Sequence, residues 1–141
     1  MKTGWYNEQY YIVKPLHNGY RQSLIVGAQP INRGYYNIMM GVFSCNISLE
    51  KMLYSNVWNK PTSTNKNPSI KTLTLALEAL TEIEQEVFKY RNGKKTIFYI
   101  DGLDERRLHV FTKVLTKKNG YKLSKSLDIN TNLPKLYKTL K

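Results

Sequence analysis

Two histidines, one cysteine, a short acidic cluster and a large excess of lysine are the chemistry-bearing residues of this 141-residue chain. His17 and His109 stand in the triplets His17-Asn18-Gly19 and His109-Val110-Phe111, so the paired H-x-[ST] motifs of a two-histidine phosphoesterase are missing. His109 has Arg106 and Arg107 beside it and falls on a predicted helix, a half-exposed position more readily than a general base. Asp101, Asp104 and Glu105 carry the oxygens that a hard cation takes. Asp104 and Glu105 also open that helix, where carboxylates complement the dipole and pair with Arg106 or Arg107. Cys45 has no histidine near it in sequence to activate a thiolate and no second cysteine to bridge. No catalytic residue, metal site or cofactor is expected from these groups.

The cations make a stronger signal. Lysine and arginine number 22 against 10 aspartates and glutamates, a formal net charge of +12, which attracts polyanions before any specific contact forms. The excess is unevenly spread: residues 1–88 hold 8 basic and 6 acidic side chains, residues 89–141 hold 14 and 4. Within the second stretch Lys94, Lys95, Arg106, Arg107, Lys113, Lys117, Lys118, Lys122 and Lys125 are the candidate binding residues for nucleic acid or an acidic protein surface. Lys113 and Lys117, one helical turn apart, form a stripe with Arg106 nearer the helix start. A solvated lysine-rich surface with no partner has the same composition. Eleven tyrosines accompany the charge, and tyrosine faces stack on unpaired bases while lysines neutralise phosphates. Tyr99 and Tyr121 are expected in the core; Tyr6, Tyr10, Tyr20, Tyr35 and Tyr36 cluster near predicted strand ends.

The elements that must position these side chains follow from hydrophobic period. Tyr6–Leu16, Tyr20–Gln29 and Tyr35–Cys45 are rich in Tyr, Ile and Val and are separated by His17-Asn18-Gly19 and Pro30–Gly34, a three-stranded antiparallel meander. Their incomplete alternation predicts a sheet covered on more than one side. Ser48–Trp58 has near-helical spacing, and Asn59–Asn67 is a polar loop. Residues 68–91 form the clearest helix, with Asn67 as N-cap, Pro68 at the first position, and Ile70, Leu73, Leu77, Leu80, Ile83 and Val87 along one face. Asn92-Gly93 supplies the stop. A strand over Lys95–Ile100, a helix over Asp104–Asn119 with Leu108, Phe111, Val114 and Leu115 inward, and a strand over Tyr121–Leu127 follow. Residues 128–141 are expected as a basic tail beyond a single α/β domain of residues 1–127.

Over roughly residues 6–127 the order strand, strand, strand, long helix, strand, helix, strand resembles the core of the GNAT family of N-acetyltransferases. The residues that carry the resemblance are Ile97-Phe98-Tyr99-Ile100-Asp101-Gly102, Arg106-Arg107 with Phe111, and Asn119-Gly120-Tyr121. The same arrangement looks like that of small bacteriophage proteins of unknown function. The resemblance implies an α/β (α+β) fold with an antiparallel or mixed central sheet. It also implies acetyl-coenzyme A chemistry, from which this chain departs twice. The family's pyrophosphate loop, of Q/R-x-x-G-x-G/A type, is replaced by Thr62-Ser63-Thr64-Asn65-Lys66-Asn67-Pro68, which has no glycine to allow close backbone approach. Phe111 stands nearest the tyrosine that protonates the leaving thiolate.

The expectation is therefore a non-catalytic, phage-encoded basic accessory protein that binds nucleic acid or an acidic partner through its second half. One alternative is a virion or assembly component that docks Leu133-Pro134-Lys135-Leu136-Tyr137 on a neighbour. Another is an acetyltransferase with a degenerate cofactor loop. Apolar runs such as Leu24–Val26 are far short of a membrane span, and Met1–Glu8 has no secretory apolar segment. Cytoplasm of a host cell or the virion is the expected location, with no membrane partner.

Overall fold

The computed structural model describes residues 2–17, 19, 21–44, 70–100 and 105–141. It is a mixed α+β protein with seven strands and two described helices: β1 (Gly4–Tyr6), β2 (Gln9–Leu16), β3 (Gln22–Asn32), β4 (Tyr35–Ser44), α1 (Ile70–Tyr90), β5 (Thr96–Ile100), α2 (Glu105–Lys118), β6 (Lys122–Leu127) and β7 (Pro134–Leu140). The strand order is β1-β2-β3-β4-β5-β7-β6. β4 and β5 run parallel, while the pairs β1/β2, β2/β3, β5/β7 and β6/β7 are antiparallel. Ser48–Trp58, Asn59–Asn67, the cap Asn67-Pro68 and Asp101–Asp104 lie outside the described residues. The chain divides into two units, residues 1–28 with 39–85 and residues 29–38 with 86–141.

In the first unit the expected single strand Tyr6–Leu16 is a hairpin. Tyr6 faces Gln9, and the two loop residues Asn7 and Glu8 both have positive φ, 49° and 68°. That is the backbone of a type I′ turn, whose twist suits antiparallel strands and whose second position favours glycine. Glutamate carries none of glycine's turn signal, so the break was invisible in composition. Glu8→Gly is expected to stabilise the protein by about 0.5–1 kcal/mol in chemical denaturation, because it relieves a left-handed β-carbon.

β3 bears out a sheet covered on both sides: Gln22 through Ala28 are buried without alternation. Tyr11, Ile12, Leu24, Ile25, Val26 and Phe43 form the strand side of this unit's core, and Ala76, Ala79, Leu80 and Ile83 of α1 are equally buried. The inward stripe of α1 is narrower than its leucines suggested, since the half-buried Leu73 and Leu77 flank the two alanines. Lys14 Nζ reaches Glu82 Oε1 at 3.1 Å, a partly exposed pair worth up to about 1 kcal/mol.

The second unit is built on β5. Thr96, Phe98 and Ile100 point to its buried side, with Tyr36 and Ile38 of β4, Leu136 of β7, Leu115 of α2, and Tyr121 and Val87 also buried. α1 ends where Asn92-Gly93 was expected to stop it. Asn92 N–H donates to Lys89 O at 2.9 Å, Gly93 N–H donates to Phe88 O at 2.9 Å, and both residues have positive φ, a Schellman cap. Arg91, one of the excess cations, is held structurally: Nε donates to Thr96 Oγ1 at 3.0 Å and Nη2 to Lys95 O at 3.2 Å. Gly34 passes beside this latch at φ 85°, and a β-carbon there would lie 3.1 Å from Arg91 Nη2.

Residues 128–141 are a correction to the expected tail. Asp128 Oδ1 accepts from Asn130 N–H at 2.8 Å, Asp128 N–H donates to Leu133 O and Asn132 N–H to Asp128 O, each at 2.8 Å. The turn so formed returns the chain as β7 between β5 and β6. Lys135 and Lys138 break the apolar pattern, which hid a strand whose central Leu136 is fully buried.

Candidate nucleic-acid interface

The second unit holds 15 basic and 5 acidic side chains, so the charge excess seen along the sequence is also an excess in space. Lys94, Lys95, Arg106, Lys113, Lys117, Lys118, Lys122 and Lys125 are all exposed. None of these side chains makes an ion pair or hydrogen bond among the described residues. The side chain of Arg107 is outside the described ones.

These residues do not form one patch. Lys94 and Lys95 precede β5, while Lys117 and Lys118 end α2. Glu105 in the first turn and Lys117 and Lys118 in the last both complement the helix dipole. Arg106, Lys113 and Lys117 share the line of α2 opposite the buried Leu115, as the stripe required. Arg106 is nevertheless about 16 Å along the axis from Lys117, at 1.5 Å per residue. Lys122 pairs opposite Tyr137 and shares its side of the sheet, and Lys125 lies in the register shift between Leu123 and Leu127.

A second feature of the unit went unread in the sequence. On the less buried side of the sheet Tyr35 of β4, Tyr99 of β5 and Tyr137 of β7 form a row. Tyr35 and Tyr99 have centroids 6.2 Å apart and planes within 13°, and Tyr99 and Tyr137 are 6.4 Å apart at 37°. Tyr35, Tyr99, Ile31, Asn32 and Lys135 line a groove of about 220 Å³. Lys135 Nζ stands 6.0 Å from the Tyr99 centroid. Tyr99 was expected in the core, and only the neighbouring strands, brought in from residues 35 and 137, turn its half-exposed face into a row. Tyr121 is buried as expected, with Lys138 Nζ 5.8 Å from its ring. Of the N-terminal aromatics, Tyr6 packs edge-on to the buried Tyr11, Tyr10 packs on Trp5, and Tyr36 is buried against Phe98, while Tyr20 lies outside the described residues.

Among the described residues no three Asp, Glu, His or Cys side chains gather as a metal site, and no helix is long and apolar enough to cross a membrane. His109 is exposed on α2 and Phe111 is half-buried there. The glycine-free segment Thr62–Pro68 and Cys45 are outside the described residues. Compared with protein-family models, curated proteins and solved structures, the chain matches none.

Proposed function

We propose that this chain is a non-catalytic, GNAT-like accessory protein of phage type that binds nucleic acid through its second unit. The observation that carries the reading is the concentration of 15 basic side chains against 5 acidic ones in that unit, with Lys94, Lys95, Lys113, Lys117, Lys118, Lys122 and Lys125 exposed and without ion pairs among the described residues. Cations used for folding would be paired, as Arg91 is. Unpaired ones give the unit a positive field that draws in a phosphate backbone. The element order strand, long helix, strand, helix, strand from β4 onward supports the GNAT-like resemblance, and the glycine-free loop sequence and Phe111 support a binding role over acetyl transfer.

Fluorescence anisotropy with short labelled single- and double-stranded DNA and RNA at about 50 and 200 mM salt tests it. Binding should weaken by orders of magnitude between the two, with log K falling linearly in log salt. No binding even at the lower salt overturns the reading. A saturable rise in melting temperature with acetyl-coenzyme A would instead restore the cofactor-binding alternative.

A further inference from the structure

We infer that the row Tyr35–Tyr99–Tyr137 is a stacking platform for unpaired bases, so that the preferred ligand of this protein is single-stranded nucleic acid. This inference rests on the nucleic-acid reading above and adds where the strand lies and which form of nucleic acid it is.

Three observations converge on that side of the sheet. The first is ring geometry. The centroids are spaced 6.2 and 6.4 Å along three adjacent strands, nearly twice the roughly 3.4 Å rise of stacked bases in a duplex. Duplex bases already spend both faces on their neighbours, whereas a splayed single strand can lay successive bases on successive rings. Aromatic side chains on a sheet surface hold two or three bases in this way.

The second is the size and lining of the groove. At about 220 Å³ it is smaller than the roughly 300 Å³ at which enclosed small-molecule pockets begin. It suits a planar ring laid against a wall. Tyr35 and Tyr99 supply that wall, Tyr35 being 41% exposed, and Ile31, 57% exposed, offers an apolar edge.

The third is charge placement. Lys135 lines the groove with its ammonium near the Tyr99 ring, and Lys122 sits across from Tyr137 on β6. Arg33 follows the groove residue Asn32. Lys135 and Lys122 therefore place cations beside the aromatic row, within reach of the phosphates of a strand stacked on it. Asn37 is paired opposite Tyr99, with its Oδ1 buried and without a hydrogen-bond partner among the described residues.

The experiment compares three labelled ligands on the intact protein: an oligothymidylate dodecamer, an abasic strand of the same length, and a duplex. The wild type should bind the thymidylate strand at least tenfold more tightly than the abasic one, because only the former has bases to stack. Tyr35→Ala and Tyr99→Ala should each weaken thymidylate binding about tenfold while leaving abasic binding and the salt slope unchanged. Tyr35→Phe and Tyr99→Phe should retain wild-type affinity. Equal wild-type affinity for thymidylate and abasic strands overturns the inference, whether or not the alanine variants fold. Alanine variants that fold and bind thymidylate like the wild type overturn it too. In either case salt-dependent binding to all three ligands leaves the broader reading standing, whereas no binding to any of them removes both.

Discussion

A chain cut after Asp128 is expected to show no cooperative unfolding transition and a collapsed amide spectrum by NMR. The cut removes β7, which pairs with β5 from Thr96–Leu140 to Ile100–Leu136 and with β6 on its other side. β5 would lose a ladder on one edge, β6 would lose its only neighbour in the strand order, and the space filled by Leu136 would open beside Phe98 and Ile100. Burial of one such leucine contributes about 2–3 kcal/mol. With the ladder it approaches the whole stability of a domain, about 5–15 kcal/mol. A well-dispersed spectrum from the shortened chain would mean that residues 129–141 are dispensable to the fold. The same geometry removes the tail as a free docking element: Pro134–Tyr137 are already occupied in β7, so an assembly role would need another surface.

Replacing Lys113, Lys117 and Lys118 together with glutamate should lower nucleic-acid affinity at least tenfold at about 50 mM salt. The second unit falls from +10 to +4, and the loss should act on single and double strands alike, since it works through the field. It should shrink as salt is raised, because the Debye length shortens from roughly 10 Å at 0.1 M to a few ångströms at 1 M. The three side chains are exposed and unpaired among the described residues, so the protein should stay folded, its melting temperature lowered by a few degrees. Lys117 and Lys118 also complement the C-terminal end of α2, and their reversal costs about 1 kcal/mol at most for each. Unchanged affinity would place the phosphate track entirely on the sheet side, at Lys122 and Lys135. This charge effect and the tyrosine effect are separable: one is blind to strandedness and sensitive to salt, the other the reverse.

Much of the fold was legible in the residues. α1 and its stop at Asn92-Gly93, β4 and β5, and α2 with its outward cationic line follow from period and cap chemistry, which are local and need no partner. The hairpin at Asn7-Glu8 was not legible, because its left-handed backbone is imposed on a glutamate by the pairing of β1 with β2. β7 was missed because its strand position depends on the neighbours that pair with it: Lys135 lies against the Tyr99 ring and Lys138 against Tyr121, so two lysine ammoniums sit where apolar alternation was sought.

By itself the amino-acid order determined the sign and place of the charge and the two described helices. Tertiary structure alone decided which cations are latched and which are exposed, since Arg91 is held to Thr96 while Lys117 lies on the surface. It also decided that Tyr35, Tyr99 and Tyr137, far apart in the chain, meet on one side of a sheet. Secondary structure is coded within a few residues, but strand order is set by which surfaces bury best together, and a site assembled across three strands exists only once that order is reached.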